Sequence, residues 1–150
     1  MLVSSPSWQY EVSIKNFKKG QMISEGEFGI VYGAEDKNTG KLYAAKVINC
    51  SNDEEQCTKI INHEIKNLMS AHHHTIIQYF GYSKIDFEEK HNVTLIMELS
   101  KNGSLKHLIT SIMQNNKPKN YTNTSKQIII AGVACAMKYL HDHGIIHKNL

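Results

Sequence analysis

Residues 24–34, "SEGEFGIVYGA", set two glycines three positions apart among β-branched and aromatic residues. With the preceding "FKKGQMI" (17–23), the pattern predicts a hairpin over 17–33: a strand, a glycine-containing turn and a second strand. Residues without side chains let backbone N–H groups approach an anion closely, and the stretch is close to a phosphate-covering glycine loop. Two glycines in a hairpin are more often simple turn residues, so the assignment depends on the residues downstream.

"AEDKNTG" (34–40) supplies turn chemistry before "KLYAAKVINC" (41–50), an apolar run short enough to be a buried strand. Lys46 lies inside that run, where an ammonium group is costly without a partner. From Asp53 the period changes: Ile61, Ile65 and Leu68 recur at helical spacing, and Asp53, Glu54 and Glu55 suit the positive end of a helix dipole. Glu64 neighbours that face and is the available counter-charge for Lys46. Taken singly, an outward-pointing lysine and a solvated glutamate are the simpler readings. "TIIQYFGYS" (75–83) and "HNVTLIMEL" (91–99) read as two more strands joined by the charged turn "KIDFEEKH" (84–91). After Glu98 the chain turns helical. "NGSLKHLITSIM" (102–113) is a short helix behind turn residues. "SKQIIIAGVACAMKYLHDHG" (125–144) is a longer one, with Ile129, Val133, Ala136 and Leu140 on one face and Gly144 as its stop. The polar stretch 114–124 between them reads as a loop.

Composition narrows the function. The 150 residues, 41% of them hydrophobic, can bury a core, and 21% charged residues fit an ordinary folded protein. All 17 basic residues are lysines, scattered among 14 acids, which argues against a nucleic-acid surface built on arginine base contacts. Cys50, Cys57 and Cys135 have no paired spacing, so a reducing, cytoplasmic setting is expected. No secretory signal is visible, and the longest apolar stretch, "IIIAGVACAM", is well short of the roughly 20 residues that span a bilayer. The run His72, His73, His74 invites a metal reading, but adjacent residues on one segment cannot all face one ion. We expect no metal site there, a structural role for His73 and an exposed His72.

Jointly, these motifs resemble a protein kinase domain, in the tyrosine-kinase-like serine/threonine group. Ser24, Gly26 and Gly29 stand at the three glycine positions of the glycine-rich loop, with Glu25 between the first two and Val31 at the following valine. Ala44, Ala45 and Lys46 are similar to the Val-Ala-Ile-Lys element, which implies that Lys46 contacts the α- and β-phosphates of ATP. The resemblance also implies an ion pair from Lys46 to Glu64. "LIMELSKNGSL" (95–105) is similar to the hinge between lobes, with Met97 as gatekeeper and Glu98 and Leu99 as adenine-contacting backbone. "MKYLHDHGIIHKNL" (137–150) resembles the helix and turn leading into the catalytic loop, where His147, Lys148 and Asn149 take the His-Arg-Asp positions. The segment around His73 matches the family's linker between helix and fourth strand.

The implied fold is α+β: a kinase-like N-lobe of about five antiparallel strands plus one helix, a hinge, and the first helices of a helical C-lobe. The implied domains are an N-terminal extension (1–16), the N-lobe (17–97), the hinge (98–101) and a partial C-lobe (102–150). The implied function is ATP binding, and the family's reaction is phosphoryl transfer to a protein Ser/Thr (or Tyr) hydroxyl. Three departures weaken that reaction. Ser24 replaces a glycine, with modest effect on nucleotide binding. Asn149 replaces the aspartate, and a carboxamide cannot serve as general base. Lys148 lacks the planar fork of arginine. Magnesium accompanies ATP in this family, but the expectation here is that its ligands and the activation segment are missing from the chain, which with Asn149 is the main reason to expect no catalysis. The expectation for the chain is therefore nucleotide binding with little or no catalysis, and an open apolar face on the second helix that a protein partner could use. The alternative is a pseudokinase-like interaction module, or a gene fragment without function.

Overall fold

The computed structural model describes residues 10–27, 29–49, 55, 59, 65 and 71–147. Five strands, β1 (Phe17–Gly26), β2 (Gly29–Asp36), β3 (Leu42–Ile48), β4 (Tyr79–Ser83) and β5 (Val93–Glu98), form one antiparallel sheet in the order β1-β2-β3-β5-β4. Two helices follow, α1 (Leu105–Met113) and α2 (Asn123–Asp142). This is the α+β arrangement of strands then helices that the sequence implied. The helix expected from Asp53 falls mostly outside the described residues. Glu55 and Lys59 are helical and form an i,i+4 pair at 2.7 Å.

The chain divides into a sheet unit (1–72 and 78–99) and a helical unit (73–77 and 100–150). In the sheet unit, side chains alternate between two faces. On one face Tyr82, Val93 and Leu95 form a buried cluster with Ile65, and Tyr10, Ile48 and Tyr79 pack against it. On the other, Ala34, Ala45 and Ile96 are buried with Ile14. Ile14 comes from a single 3-10 turn (Ile14–Asn16) ahead of β1, so part of the N-terminal extension belongs to the core. The β4–β5 turn is built by Asp86. Its carboxylate accepts the N–H groups of Glu88 (2.8 Å) and Lys90 (3.0 Å) and the Asn92 side-chain amide (2.7 Å).

In the helical unit, local chemistry fixes the ends. The Ser104 hydroxyl accepts the His107 N–H at the start of α1. Thr122 and Ser125 cap each other's backbone at the start of α2, a reciprocal box in which loss of the cap costs about 1 kcal/mol. Gly144, at φ 69°, ends α2: its N–H donates to the His141 carbonyl (3.0 Å) and the Ile145 N–H reaches back to Leu140 (2.8 Å), the paired bonds of a Schellman stop. Of the expected α2 face, Leu140 is buried, Ile129 and Ala136 are half-buried, and Val133 is exposed. Leu105, Ile109, Met113, Ile128 and Ile130 are also exposed. No helix among the described residues is long and apolar enough to cross a membrane.

Candidate functional site

The register of the sheet assembles the site. Residues directly opposite one another on antiparallel strands share a face. Lys46 on β3 stands between Val31 on β2 and Leu95 on β5, and one row away Ala44 stands between Gly33 and Met97. Val31, Ala44, Lys46 and Met97 therefore occupy one face, which is also the face that packs with Ile65. Met97 and Ala44 are buried and Lys46 is half-buried. Ile65 follows Glu64 in the chain; Glu64 itself lies outside the described residues, as do Phe28, Lys148 and Asn149. His147 is described and exposed.

At the tip of the β1–β2 hairpin, Gly26 pairs with Gly29, and Ser24 and Glu25 lead in opposite Val31 and Ile30. The two glycines are glycine for different reasons. Gly29 has φ 121°, and a Cβ there would drive into the Val47 carbonyl and stand 3.0 Å from its carbon. Gly26 has no left-handed φ and nothing within 4 Å of where a Cβ would sit. Gly29 answers to the fold, whereas the space beside Gly26 is open.

At the far end of β5, the Glu98 N–H donates to the Gln78 carbonyl (2.8 Å), and the Glu98 carboxylate accepts the Gln78 N–H (3.4 Å). Leu99, half-buried, borders a groove of about 410 Å³ that also touches Lys18, Ile23, Gly33 and Leu42. Register puts Lys18, Gly33 and Leu42 on the Lys46 face and the other lining residues Lys19, Ala34 and Tyr43 on the opposite one, so the groove wraps the sheet and is not confined to the Lys46 face. Ile23 belongs to none of the motifs singled out in the sequence; its available signal was an apolar residue directly ahead of Ser24. Two phenols flank the Lys46 face. Burial pushes the Tyr79 hydroxyl above its ordinary range, and burial with the nearby Glu11 charge does the same to Tyr82, against an opposing effect of Lys84.

The histidine run is occupied by structure. His72 is exposed, and its Nδ1 lies 3.0 Å from the Gln78 side-chain oxygen. In the helical unit, His73 Nδ1 lies 2.7 Å from the Thr75 hydroxyl, and its ring lies against His74 (4.2 Å) and Tyr139 (4.9 Å). Among the described residues no group of three His, Cys, Asp or Glu side chains could hold a metal ion.

Known proteins resemble this chain along most of its length. It is 29% identical over 131 residues to serine/threonine-protein kinase 33 of Mus musculus, covering 87% of this chain and 25% of that protein. It is 30% identical over 131 residues to MAP3K epsilon protein kinase 1 of Arabidopsis thaliana, covering 87% and 9%. It is 30% identical over 138 residues to the probable serine/threonine-protein kinase zyg-1 of Caenorhabditis briggsae, covering 91% and 17%. The chain thus spans a quarter or less of the length of these relatives. The family model for the protein kinase domain matches residues 17–150. That match begins at the first residue of β1 and takes in the whole sheet and both helices, so sequence and fold agree that the chain belongs to the protein kinase domain family.

Proposed function

We propose that the chain binds ATP on the Lys46 face of the sheet. In this reading Ser24, Glu25, Gly26 and Gly29 cover the phosphates, Lys46 contacts them, and Val31 and Ala44 lie against one side of the adenine. Met97 closes the back of the pocket, and the backbone of Glu98 and Leu99 runs along the adenine edge. The observation that carries it is the pair of cross-strand rows, Val31–Lys46–Leu95 and Gly33–Ala44–Met97, on one face below the glycine hairpin.

The residues present fit a nucleotide. The open space beside Gly26 has no structural use among the described residues and suits close approach of phosphate oxygens to backbone N–H groups. Because the Glu98 N–H is already bonded to Gln78, adenine would be read by the Glu98 carbonyl or by Leu99. Glu64 would pair with Lys46; support comes from its neighbour Ile65, which is buried in one cluster with Leu95, the register partner of Lys46.

ATP with magnesium supplies the transferable γ-phosphoryl group in this family, and the acceptor is a protein hydroxyl, on the pattern of the serine/threonine kinase relatives. By its place in the "HKNL" motif, between Lys148 and Leu150, Asn149 would take the role of orienting the substrate hydroxyl. An uncharged carboxamide takes no proton, and loss of a general base lowers a rate by about 10²- to 10⁴-fold. We therefore read nucleotide binding as the main capacity and phosphoryl transfer as weak. Titration calorimetry with ATP, with and without magnesium, tests the reading. Wild type gives a binding isotherm, and Lys46→Ala weakens it by about tenfold or more, the scale of one charge-assisted contact. Equal isotherms from both proteins remove Lys46 from the site.

A further inference from the structure

Ahead of β1, residues 10–14 cross the free edge of β4. Glu11 forms a parallel bridge with Tyr82, the Val12 N–H donates to the Tyr82 carbonyl at 2.8 Å, and Lys84 pairs with Glu11 at 2.9 Å. Gly81 makes the crossing possible. A Cβ at that position would lie 2.7 Å from the Tyr10 carbonyl oxygen and 2.8 Å from a Val12 methyl, both inside van der Waals contact.

The crossing segment reaches both faces of the sheet. Val12 and Ile14 join the cluster of Ala34, Ala45 and Ile96. Tyr10 packs against the opposite cluster, which holds Ile65 with Tyr82, Val93 and Leu95. In that cluster Tyr82, Val93 and Leu95 belong to the sheet, while Ile65 and Tyr10 come from segments outside it. Leu95 is the register partner of Lys46. The cluster in which Ile65 is buried is thus flanked by a residue seated by the Gly81 notch.

We infer that Tyr10, docked through the Gly81 notch, is a positioning residue that anchors Ile65 in its cluster and thereby supports nucleotide binding on the Lys46 face. The last step rests on the ATP-binding reading; the anchoring of Ile65 does not. A segment held by tertiary packing loosens when part of its buried contact is removed, and apparent affinity falls in proportion to the competent fraction.

The test uses the full chain and two variants, followed by amide hydrogen exchange and by ATP calorimetry. Gly81→Ala adds one methyl group that displaces the crossing segment, and Tyr10→Ala removes the side chain packed against the cluster that holds Ile65. In both, the peptide containing Ile65 should exchange about tenfold faster while β2 and β3 keep wild-type protection, and ATP should bind about fivefold more weakly. Unchanged exchange at Ile65 in Tyr10→Ala overturns the inference, as does an equal rise across all five strands, which marks general destabilisation. If Gly81→Ala fails to fold, Tyr10→Ala decides alone. If wild type shows no ATP binding, the nucleotide reading fails and the exchange pattern still decides the anchoring.

Discussion

Gly26 and Gly29 look equivalent in "EGEFG", and the structure predicts opposite outcomes for the same substitution. Gly29→Ala must place a methyl group inside the Val47 carbonyl while holding φ at 121°. A non-glycine residue in that backbone region costs about 1–3 kcal/mol, and overpacking against a fixed backbone adds about the same again. A total near 4 kcal/mol lowers the melting temperature of a domain of this size by about 8–16 °C. Gly26→Ala meets nothing within 4 Å and needs no unusual φ, so its main effect on stability is reduced freedom of the unfolded chain, worth about +0.5 kcal/mol. That methyl group does occupy the space proposed for phosphate, so ATP affinity should fall about tenfold, or 1.4 kcal/mol. Circular-dichroism melts and calorimetry on both variants separate the effects. A Gly26→Ala protein that melts as low as Gly29→Ala, or that binds ATP like wild type, refutes the argument.

Other outcomes rest on the same set of contacts. Asp86 is 6% exposed and satisfies three donors of the β4–β5 turn, so Asp86→Ala should cost about 3 kcal/mol in urea unfolding at constant slope; a loss under about 1 kcal/mol contradicts the assignment. Burial raises the folded pKa of Tyr79 above its unfolded value near 10, so the neutral phenol is the form the fold favours. That contribution is fully present below about pH 10 and is lost as pH rises toward the folded pKa, with Tyr82 acting in the same sense. Tyr79→Phe should accordingly lose less stability between pH 9 and pH 11 than wild type. Gly144→Ala forces alanine into the left-handed region at φ 69° and should cost about 1 kcal/mol, read as fraying of α2 by amide exchange at Leu140 to Ile145.

The readable parts of this chain are those decided by neighbours in sequence. The hairpin follows from glycines between β-branched residues. The α2 stop follows from Gly144, whose N–H bonds the His141 carbonyl while the next residue, Ile145, bonds that of Leu140, a pattern that needs only residues within about a turn. Boundaries shifted where a side chain captured the backbone. The strand expected from Thr75 begins at Tyr79, because His73 holds Thr75 through its ring and its carbonyl accepts the Ile76 N–H at 2.9 Å, which makes a turn of that stretch. Helix α2 starts at Asn123, two residues before the expected Ser125, because Thr122 caps it and Ser125 completes the box. The Tyr10–Gly81 contact carried no local signal. A glycine in a strand has many explanations, and the one that applies here is a segment about 70 positions earlier in the chain.

The adjacent alanines Ala44 and Ala45 show why the site emerges only with register. In sequence they are one small pair beside a lysine. In the sheet they point to opposite faces, as period two requires. Ala45 is fully buried with Ile14, Ala34 and Ile96, where its small size lets the 3-10 turn ahead of β1 press onto the sheet. Ala44 lies between Gly33 and Met97, so its row is small on two strands and closes only at the methionine. A slip of one residue between β2 and β3 would exchange these roles and carry Lys46 to the face packed with Ile14. The bulk of Ile14, Ile96 and Phe17 on one face and the small residues Gly33 and Ala44 on the other therefore fix the register. The same asymmetry leaves a shallow, apolar bed beside the lysine, and in that sense the core packing and the proposed nucleotide pocket are two consequences of one alignment of strands.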